Sequence, residues 1–366
     1  MRVPDPSVSD TRRSGEPIRL ARPDVGEAEL AAVAEVLESG QLTMGAKVGE
    51  FETAITAALG TAHAAAVSSG TAALHLALLA LEIGPGDEVI VPAYTFPATA
   101  NAVELCGAHA VLVDVDPDTF LLDPAAVAAA VTSRTRAVMA VHLFGRPVDW
   151  EALQTAVPQE VALVEDAAGA LGARYRGTPC GALGVAACLS FHPRKIVTTG
   201  EGGAVTTDEA ELDAAVRRLR HHGWQTLGEM PAPGFNYRLS DVLCALGIPQ
   251  LERLEELLAA RELVARWYTE RLEHIVLTPR AAEGDRHGWQ AFVVQLDRRD
   301  EALAALRESG IEAQIGTWAV HRLEPYRAQV PFPGADRAFE RALALPFATT
   351  TTEAEVDRVV RVLTRL

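Results

Sequence analysis

Lysine is nearly missing from this sequence of 366 residues. Only Lys47 and Lys195 occur, and arginine supplies the other basic side chains. With 33 basic against 49 acidic residues, the formal net charge is −16. This balance argues against a general polyanion binder such as a histone-like protein, so we expect no nucleic-acid partner. It leaves room for a local basic pocket that binds one phosphate.

Cysteine is also scarce, and its spacing contains no CxxC pair. This pattern argues against a disulfide framework or a cysteine metal site, and it favours four buried thiols in a reduced protein. No apolar run approaches the roughly 20 residues that span a bilayer. Residues 1–17 are polar and interrupted by Pro and Gly, unlike a signal peptide. We therefore expect a cytoplasmic protein with a flexible tail over residues 1–17, no metal and no membrane partner. The cysteines are Cys106, Cys180, Cys188 and Cys244.

Between residues 68 and 205, short apolar runs of strand length alternate with helical stretches, as in DEVIVPAY, RAVMAVHLFG and VALVEDAAGALGA. Apolar strands separated by helices predict an α/β fold with a mostly parallel sheet that is covered on both faces. The last three runs follow one another too closely for helical crossovers, so we expect part of the sheet to be mixed.

A different pattern begins near residue 250. The segment LERLEELLAARELVARWYTERL has the apolar spacing of a long amphipathic helix, and GWQAFVVQL and DEALAALRESG then predict a strand and a helix. We therefore predict a large domain over residues 18–250 and a smaller C-terminal α+β domain over residues 251–366.

Two helix starts are indicated by residue pairs. Asp24 is followed three residues later by Glu27, and Thr352 is followed three residues later by Glu355. In a capping box, the two side chains of such a pair bind the free backbone N–H groups of the first turn. We predict helices that begin after Asp24 and after Thr352.

Ser69, Gly70, Thr71 and Ala72 open a predicted helix. A glycine lets backbone N–H groups approach a ligand, the helix N-terminus is electropositive, and a hydroxyl adds a donor. These features suit a bound phosphate, but many ordinary helix caps share them. The motif alone leaves both interpretations open.

Asp166 stands just past the carboxyl end of a predicted apolar strand. Open α/β sheets place ligand-binding side chains at that edge. An acid there suits a metal, a ribose or a protonated ring nitrogen, although it also suits the capping of a turn.

The segment SFHPRKIVTTGEGG, from Ser190 to Gly203, is the most informative part of the chain. Lys195 is predicted to lie on a loop between two short strands, with the Ser190 hydroxyl five residues before it. Lysine can attack a carbonyl to form an imine, whereas arginine cannot be deprotonated in a protein. A lysine kept here, in a chain that otherwise uses arginine, indicates a chemical role.

Together these residues predict a pyridoxal phosphate site. That cofactor needs a lysine for its aldehyde, a carboxylate for its pyridine nitrogen and donors for its phosphate. It also needs a flat side chain against its ring, and Phe96 in PAYTFPATAN is the candidate.

The chain resembles the sugar aminotransferases of the DegT/DnrJ/EryC1/StrS family, within the fold-type-I aminotransferases, from about Ile18 to Leu366. The resemblance rests on SGTAALHLAL, GDEVIVPAYTFPATANAV, EDAAGALGA, SFHPRKIVTTGEGG, GFNYRLSDVLCALG and LRESGIEAQIG. It implies a three-layer large domain like that of other pyridoxal phosphate transferases. It also implies a homodimer with shared active sites. The implied site residues are Lys195 on the cofactor aldehyde, Asp166 at the pyridine nitrogen, Phe96 on the ring, Gly70, Thr71 and Ser190 at the phosphate, and Asn236 from the neighbouring subunit.

The chain also departs from the family pattern. Gly169 stands where the family usually has Gln or His, so we expect water or substrate to occupy the space near the cofactor's phenolic oxygen. Trp318 stands where a Tyr commonly precedes the histidine matched by His321, and Gln41 replaces a frequent Trp. We expect Trp318 and Gln41 to face the substrate.

The resemblance implies an aminotransferase that acts on a keto-sugar, expected to be nucleotide-linked, with L-glutamate as the expected donor, in amino-sugar or antibiotic biosynthesis. Arg238 is a candidate for binding the donor carboxylate. Two alternatives stay open at this point. One is an enzyme of the same fold that acts on a cyclitol or another ketone with a different outcome. The other is a non-catalytic regulatory subunit that binds pyridoxal phosphate.

Overall fold

The computed structural model describes residues 16–226, 228–328 and 330–366. The predicted flexible tail lies outside the described residues except for Glu16 and Pro17. The helices are α1 (Glu27–Ser39), α2 (Ala46–Leu59), α3 (Gly70–Ala80), α4 (Ala98–Leu105), α5 (Pro124–Ala130), α6 (Trp150–Ala156), α7 (Ala210–Arg220), α8 (Asp241–Glu252), α9 (Leu254–Leu272), α10 (Arg299–Glu308), α11 (Pro333–Arg341) and α12 (Glu353–Leu363). The strands are β1 (His63–Val67), β2 (Glu88–Pro92), β3 (Tyr94–Thr95), β4 (His109–Val113), β5 (Thr135–Val141), β6 (Ala162–Asp166), β7 (Arg174–Tyr175), β8 (Thr178–Pro179), β9 (Ala186–Ser190), β10 (Gly203–Thr207), β11 (Phe292–Gln295), β12 (Gln314–Ile315), β13 (Trp318–Ala319) and β14 (Ala342–Leu345).

The main sheet of the described residues has the strand order β1-β10-β9-β6-β5-β2-β4. Strand β10 runs antiparallel to both β1 and β9, whereas the pairs from β9 to β4 are parallel. The predicted mixed sheet is therefore confirmed. The short loop from β9 to β10 contains no helix, and the chain returns antiparallel. The longer connection from β6 to β9 also contains no helix, only the short strands β7 and β8, but β6 and β9 are parallel. Strand β1 was not predicted, because its sequence HAAAV is mostly alanine, a weak strand former.

Helices cover both faces of this sheet. On β5, Ala137 and Met139 pack in the cluster that contains α3, α4 and α7. The alternate residues Val138 and Ala140 pack in the cluster that contains α5 and α6. Strand residues alternate between faces, so each apolar strand buries side chains on both sides. The predicted three-layer α/β architecture is confirmed.

A second sheet, β11-β14-β12, is antiparallel and packs with α9, α10 and α12. Ile18 joins this C-terminal cluster, where its backbone pairs with Ile311. A further cluster at the large sheet contains α2 and α8, and the first turns of α9 pack in it through Leu257. The later turns of α9 pack in the C-terminal cluster through Tyr268. The α9 helix therefore joins the two cores, and the domain boundary at residue 250 stays a prediction.

The helix predicted to begin after Asp24 is present, but Asp24 and Glu27 do not form its cap. The α1 helix begins at Glu27, and the N–H of Gly26 donates to the Glu29 carboxylate at 2.6 Å. Asp24 instead accepts hydrogen bonds from Arg253 and from the Thr349 hydroxyl, because tertiary partners outcompete the cap. The capping box of Thr352 and Glu355 at the start of α12 is present as predicted.

The four cysteines are buried and unpaired. The Cys180 thiol lies close to the buried pair His142 and Glu165, with ligand atoms within 4.8 Å of one another. Glu165 already accepts hydrogen bonds from His142 Nε2 and from three backbone N–H groups, and His142 Nδ1 accepts from the Val148 N–H. We therefore interpret this cluster as a structural network under the sheet. Among the described residues, no helix is both long and apolar enough to cross a bilayer.

Glu52 of α2 links α7 to β1, the strand that precedes residues 68–71, which we call the phosphate loop. Its carboxylate accepts from the Ala66 N–H of β1 at 2.9 Å and from Arg220 of α7 at 2.6 Å. Arg217 donates to the same carboxylate at 2.8 Å. Arg220 is 6% exposed, so its charge depends on this partner.

We expect Glu52→Ala to destabilise the fold by about 3 kcal/mol, because it leaves the buried Arg220 charge without a partner. Glu50→Ala on the same helix is the matched control. Glu50 pairs with Lys47 at the surface, and its loss should cost at most about 1 kcal/mol. Urea unfolding of the three proteins measures the difference. Equal losses in both variants would contradict this account of Glu52.

Candidate active site

The parallel strands deliver most of the candidate residues to one edge of the sheet. Asp166 ends β6 and Ser190 ends β9, while Gly70 follows β1 and Phe96 follows β2 and β3. Parallel strands have their carboxyl ends on the same side, so these residues emerge together. Lys195 lies in the loop that follows β9, as the sequence predicted.

Asp166 is held in a fixed orientation. It is 6% exposed, and its Oδ2 accepts from the Thr99 hydroxyl at 2.7 Å while its Oδ1 accepts from the Ala168 N–H at 3.2 Å. Thr99 lies at the start of α4, and its N–H donates to the Phe96 carbonyl. A buried carboxylate with few donors is suited to pair with a protonated ring nitrogen. Sequence reasoning missed Thr99, although its hydroxyl in TFPATA, one turn after Phe96, was a usable signal.

Lys195 is half-buried, and its backbone N–H donates to the His192 carbonyl at 2.8 Å. Burial disfavours the charged amine and lowers the pKa of Lys195 to about 8. The Asp166 charge raises this pKa, whereas the charges of Arg261 and Arg194 lower it. A lysine with such a pKa has a larger neutral fraction near pH 7 than an exposed one, and the neutral amine is the nucleophile.

Arg261 of α9 is a buried cation whose partners are backbone carbonyls. Its Nη1 donates to the carbonyls of Trp289 and Gln290, each at 2.9 Å, and its Nη2 donates to the Lys195 carbonyl at 3.5 Å. Burial lowers the pKa of Arg261 to about 10. The guanidinium therefore links the Lys195 loop to residues 289–290.

Gly70 and Ser190 form a cradle at the N-terminus of α3. The Ser69 hydroxyl caps this helix by accepting from the Ala72 N–H, and the first N–H groups of a helix have no acceptor within it. A Cβ on Gly70 would lie 2.8 Å from the Ser190 Cβ and 3.2 Å from its Oγ, so only glycine fits. Gly203 of β10 lies equally close to the start of α3, because a Cβ added to Gly203 would lie 2.4 Å from the Ser69 carbonyl oxygen. The cradle presents N–H groups and a hydroxyl without a side chain in the way. Thr71 is exposed beside it.

Two aromatic rings are exposed near this edge. Phe96 is 63% exposed and Trp318 is 42% exposed. Strand β13 pairs with β3, and this pairing sets Trp318 opposite Thr95, the residue before Phe96. His321 is buried and shares a hydrogen bond with Asp336 at 3.0 Å.

The segment with Asn236 and Arg238 lies beside the phosphate loop of its own chain. The Ser68 N–H donates to the Tyr237 carbonyl at 2.8 Å, and Asn236 is exposed. The Arg238 guanidinium lies 2.7 Å from His221 Nδ1. Burial, the larger cause, and the charge of Arg238 both lower the pKa of His221.

Gln41 is exposed, and its carboxamide donates to the Thr43 carbonyl at 2.8 Å. Within the part of the chain that the structure describes, neither Asn236 nor Gln41 forms a hydrogen bond with Lys195 or Asp166.

A side chain from elsewhere lies against Gly169. The atoms of Gln290 stand 3.4 to 3.6 Å from the position that a Cβ on Gly169 would take. The space that we expected water or substrate to occupy is therefore bordered by the Gln290 carboxamide. No sequence pattern pointed to Gln290, which lies 121 residues after Gly169 in the sequence.

This donor set fits pyridoxal phosphate. A lysine with a lowered pKa, a buried oriented carboxylate and an anion cradle at a helix N-terminus match the aldehyde, ring nitrogen and phosphate of that cofactor. The exposed ring of Phe96 is available to stack on it.

Comparison with known proteins gives the same result. The model of the DegT/DnrJ/EryC1/StrS aminotransferase family matches residues 23–364. DesV from S. venezuelae, solved in complex with a ketimine intermediate, is 34% identical with a TM-score of 0.88, covering 94% of this chain and 98% of that chain. DesI, solved in the presence of its TDP-sugar product, is 36% identical with a TM-score of 0.89, covering 95% of this chain and 92% of that chain. Spr1654 from Streptococcus pneumoniae, in its PMP form, is 28% identical with a TM-score of 0.92, covering 95% of this chain and 97% of that chain.

These matches confirm the predicted fold, enzyme class and cofactor. The chain belongs to the DegT/DnrJ/EryC1/StrS family of sugar aminotransferases, which depend on pyridoxal phosphate.

Proposed function

We propose that this enzyme transfers the amino group of L-glutamate to a nucleotide-linked keto-sugar, as a step of amino-sugar or antibiotic biosynthesis. The observation that carries the proposal is that Lys195 and Asp166 interact electrostatically at the same sheet edge as the Gly70–Ser190 cradle. The TDP-sugar product of DesI supports a nucleotide-linked sugar as the substrate class. Four free buried thiols support a reducing, cytoplasmic setting.

When bound, pyridoxal phosphate supplies an electron sink for negative charge at the carbon that exchanges its amine. Lys195 would hold the aldehyde carbon through its Nζ, and as a free amine it would carry a proton to and from the reacting carbon. Asp166 would keep the ring nitrogen protonated, and Thr99 holds that carboxylate in place. Gly70, Thr71 and Ser190 would bind the phosphate.

Two exposed aromatic rings would form part of the surface that binds the cofactor and the substrate. Phe96 would stack on the cofactor ring, while Trp318, one strand away, offers a second flat apolar surface at the same edge. Sugar rings and nucleotide bases carry their polar groups at their edges and have apolar faces, and aromatic side chains bind those faces. Arg238 supplies a cation beside the phosphate loop, suited to a donor carboxylate.

We also propose a homodimer with shared active sites. Asn236 is exposed, although it lies next to the phosphate loop. Leu42 and Met44 are also exposed. They lie near the segment that follows Asn236, because the Leu42 carbonyl accepts from the Asp241 N–H and Thr43 pairs with Ser240. An apolar surface of this kind next to Asn236 suits a second copy of the chain, whose phosphate Asn236 would reach.

The substrate proposal is tested by the two half-reactions. L-glutamate should convert the visible band of the lysine-bound cofactor into the band of its amine form. TDP-linked keto-sugars should then restore the first band, whereas cyclitol ketones should not. Restoration only by a cyclitol ketone would overturn the sugar assignment, and a holoenzyme that no amino acid converts would indicate a non-catalytic subunit.

The role of Lys195 can be checked chemically, because Lys47 is the only other lysine. Borohydride reduction of the holoenzyme followed by peptide mapping should find the pyridoxyl group on Lys195. Lys195→Arg should abolish the visible band, since it keeps the charge and removes the nucleophile. Lys47→Arg is the matched control and should keep the band. Label on Lys47 would contradict the assignment.

The pH dependence of cofactor loading follows from the environment of Lys195. We expect the rate at which apoenzyme reacts with pyridoxal phosphate to rise with pH through a midpoint near 8, because only the neutral amine attacks. The Asp166 charge raises this pKa, so Asp166→Asn should lower the midpoint. Stopped-flow absorbance measures both proteins. A midpoint near 10.5, the ordinary lysine value, would show that Lys195 is not desolvated.

Sharing of the site can be tested by mixing inactive variants. Lys195→Ala removes the nucleophile, and Asn236→Asp places a negative charge against the phosphate. If Asn236 reaches the partner's cofactor, one site of the mixed dimer carries both defects and the other carries neither. Activity should then rise towards one working site per heterodimer.

The control mixture combines Lys195→Ala with Asp166→Asn. Both of these residues serve the site of their own chain, so every site in that mixed dimer keeps one defect and activity should not return. If subunit exchange occurs and the first mixture also stays inactive, Asn236 does not act across subunits.

A further inference from the structure

The backbone conformation at position 169 does not require a glycine, yet the chain has one there. It lies three residues after Asp166, and its φ is outside the left-handed region, so any residue could stand there. The three atoms nearest to a Cβ at this position would all belong to Gln290, with Oε1 at 3.4 Å and Cγ at 3.5 Å. The Gln290 side chain therefore takes up the room that a longer side chain at 169 would need.

The backbone of Gln290 is held on both sides. Its N–H donates to the Phe144 carbonyl at 3.1 Å, and its carbonyl accepts from Arg261 Nη1 at 2.9 Å. The same guanidinium reaches the Lys195 carbonyl. The carbonyls of Gln290 and Lys195 thus bind one buried cation, which holds the Gln290 backbone beside the Lys195 loop.

The carboxamide itself is unused. Within residues 16–226, 228–328 and 330–366, neither its Nε2 nor its Oε1 has a hydrogen-bond partner, and Gln290 is half-buried. Both carboxylate oxygens of neighbouring Asp166 accept hydrogen bonds, and the Nη1 and Nη2 groups of Arg261 donate to backbone carbonyls. A half-buried amide without a partner gains a hydrogen bond when a bound ligand brings an acceptor.

We propose that the Gln290 carboxamide donates a hydrogen bond to the phenolic oxygen of pyridoxal phosphate from the side of Gly169. Gln290 is thus a cofactor-binding residue, and the glycine at 169 is the space that admits it. This inference rests on the cofactor placement proposed above, with the aldehyde carbon on Lys195 and the ring nitrogen at Asp166. Under that placement the phenolic oxygen is the ring substituent next to the aldehyde carbon, and therefore close to the Lys195 loop.

A donor to the phenolic oxygen stabilises negative charge on it. It therefore favours the unprotonated state of the lysine-bound cofactor and lowers the midpoint of its pH-dependent absorbance. The charged groups that act on the Lys195 amine are Asp166, Arg261 and Arg194. None of them is changed in the variants below.

The experiment titrates the visible absorbance of purified holoenzyme against pH. In Gln290→Met, which keeps the chain length and removes the donor, the midpoint should rise by about one unit, the size expected for one hydrogen bond to a charged group. The dissociation constant of pyridoxal phosphate should also rise, about tenfold. Gln154→Met, at an exposed position of α6, is the matched control and should change neither quantity.

A rescue separates this role from a structural one. Gln290→Gly together with Gly169→Gln returns a carboxamide to the same space from the other side. We expect its midpoint to lie within a few tenths of a unit of the wild-type value, while Gln290→Gly alone stays shifted.

An unshifted midpoint in Gln290→Met, in protein that still shows the visible band, would overturn the proposal and leave the cofactor assignment intact. A shift that the double variant fails to reduce would also overturn it, since Gln290 would then act through packing. Loss of the visible band in the wild-type protein would instead refute the placement of the cofactor on Lys195.

Discussion

The active site depends on the common direction of the strands β1, β9, β6 and β2. Because these strands are parallel, the residues that follow them must leave the sheet at one edge. A strand that ran the other way would carry Asp166 or Ser190 to the opposite edge. The antiparallel strand β10 does not disturb this arrangement, because it begins at that edge, where Gly203 pairs with both Val67 and Ser190.

Two close backbone approaches complete the edge. Gly203 lies against the Ser69 carbonyl, and Gly70 lies against Ser190, and each position would clash if it carried a Cβ. The missing side chains let the start of α3 sit directly on the strand ends. The phosphate cradle is therefore a consequence of packing between a helix and a sheet, and the helix N-terminus adds its favourable electrostatics.

Burial and nearby charges set the pKa of Lys195. Burial, the largest effect, and the charges of Arg261 and Arg194 lower this pKa, the Asp166 carboxylate raises it, and the net result is a pKa of about 8. Arg261 belongs to α9, which packs in both apolar cores. The same helix that joins the two cores thus contributes to the reactivity of the lysine, and its guanidinium also holds the segment with Gln290.

Local sequence patterns were sufficient to predict the α/β class, the mixed sheet and the cofactor. These patterns are apolar runs of strand length, one retained lysine in SFHPRKIVTTGEGG and an acid at a strand end, and each is visible without knowledge of the tertiary contacts. They did not indicate β1, because alanine has little strand preference, and they assigned the cap of α1 to Asp24, which binds Arg253 instead. Thr99, Arg261 and Gln290 emerged only from the tertiary structure. They act on Asp166, Lys195 and Gly169 across 66 residues or more, and hydrogen bonds and burial between such distant segments exist only once the chain has folded.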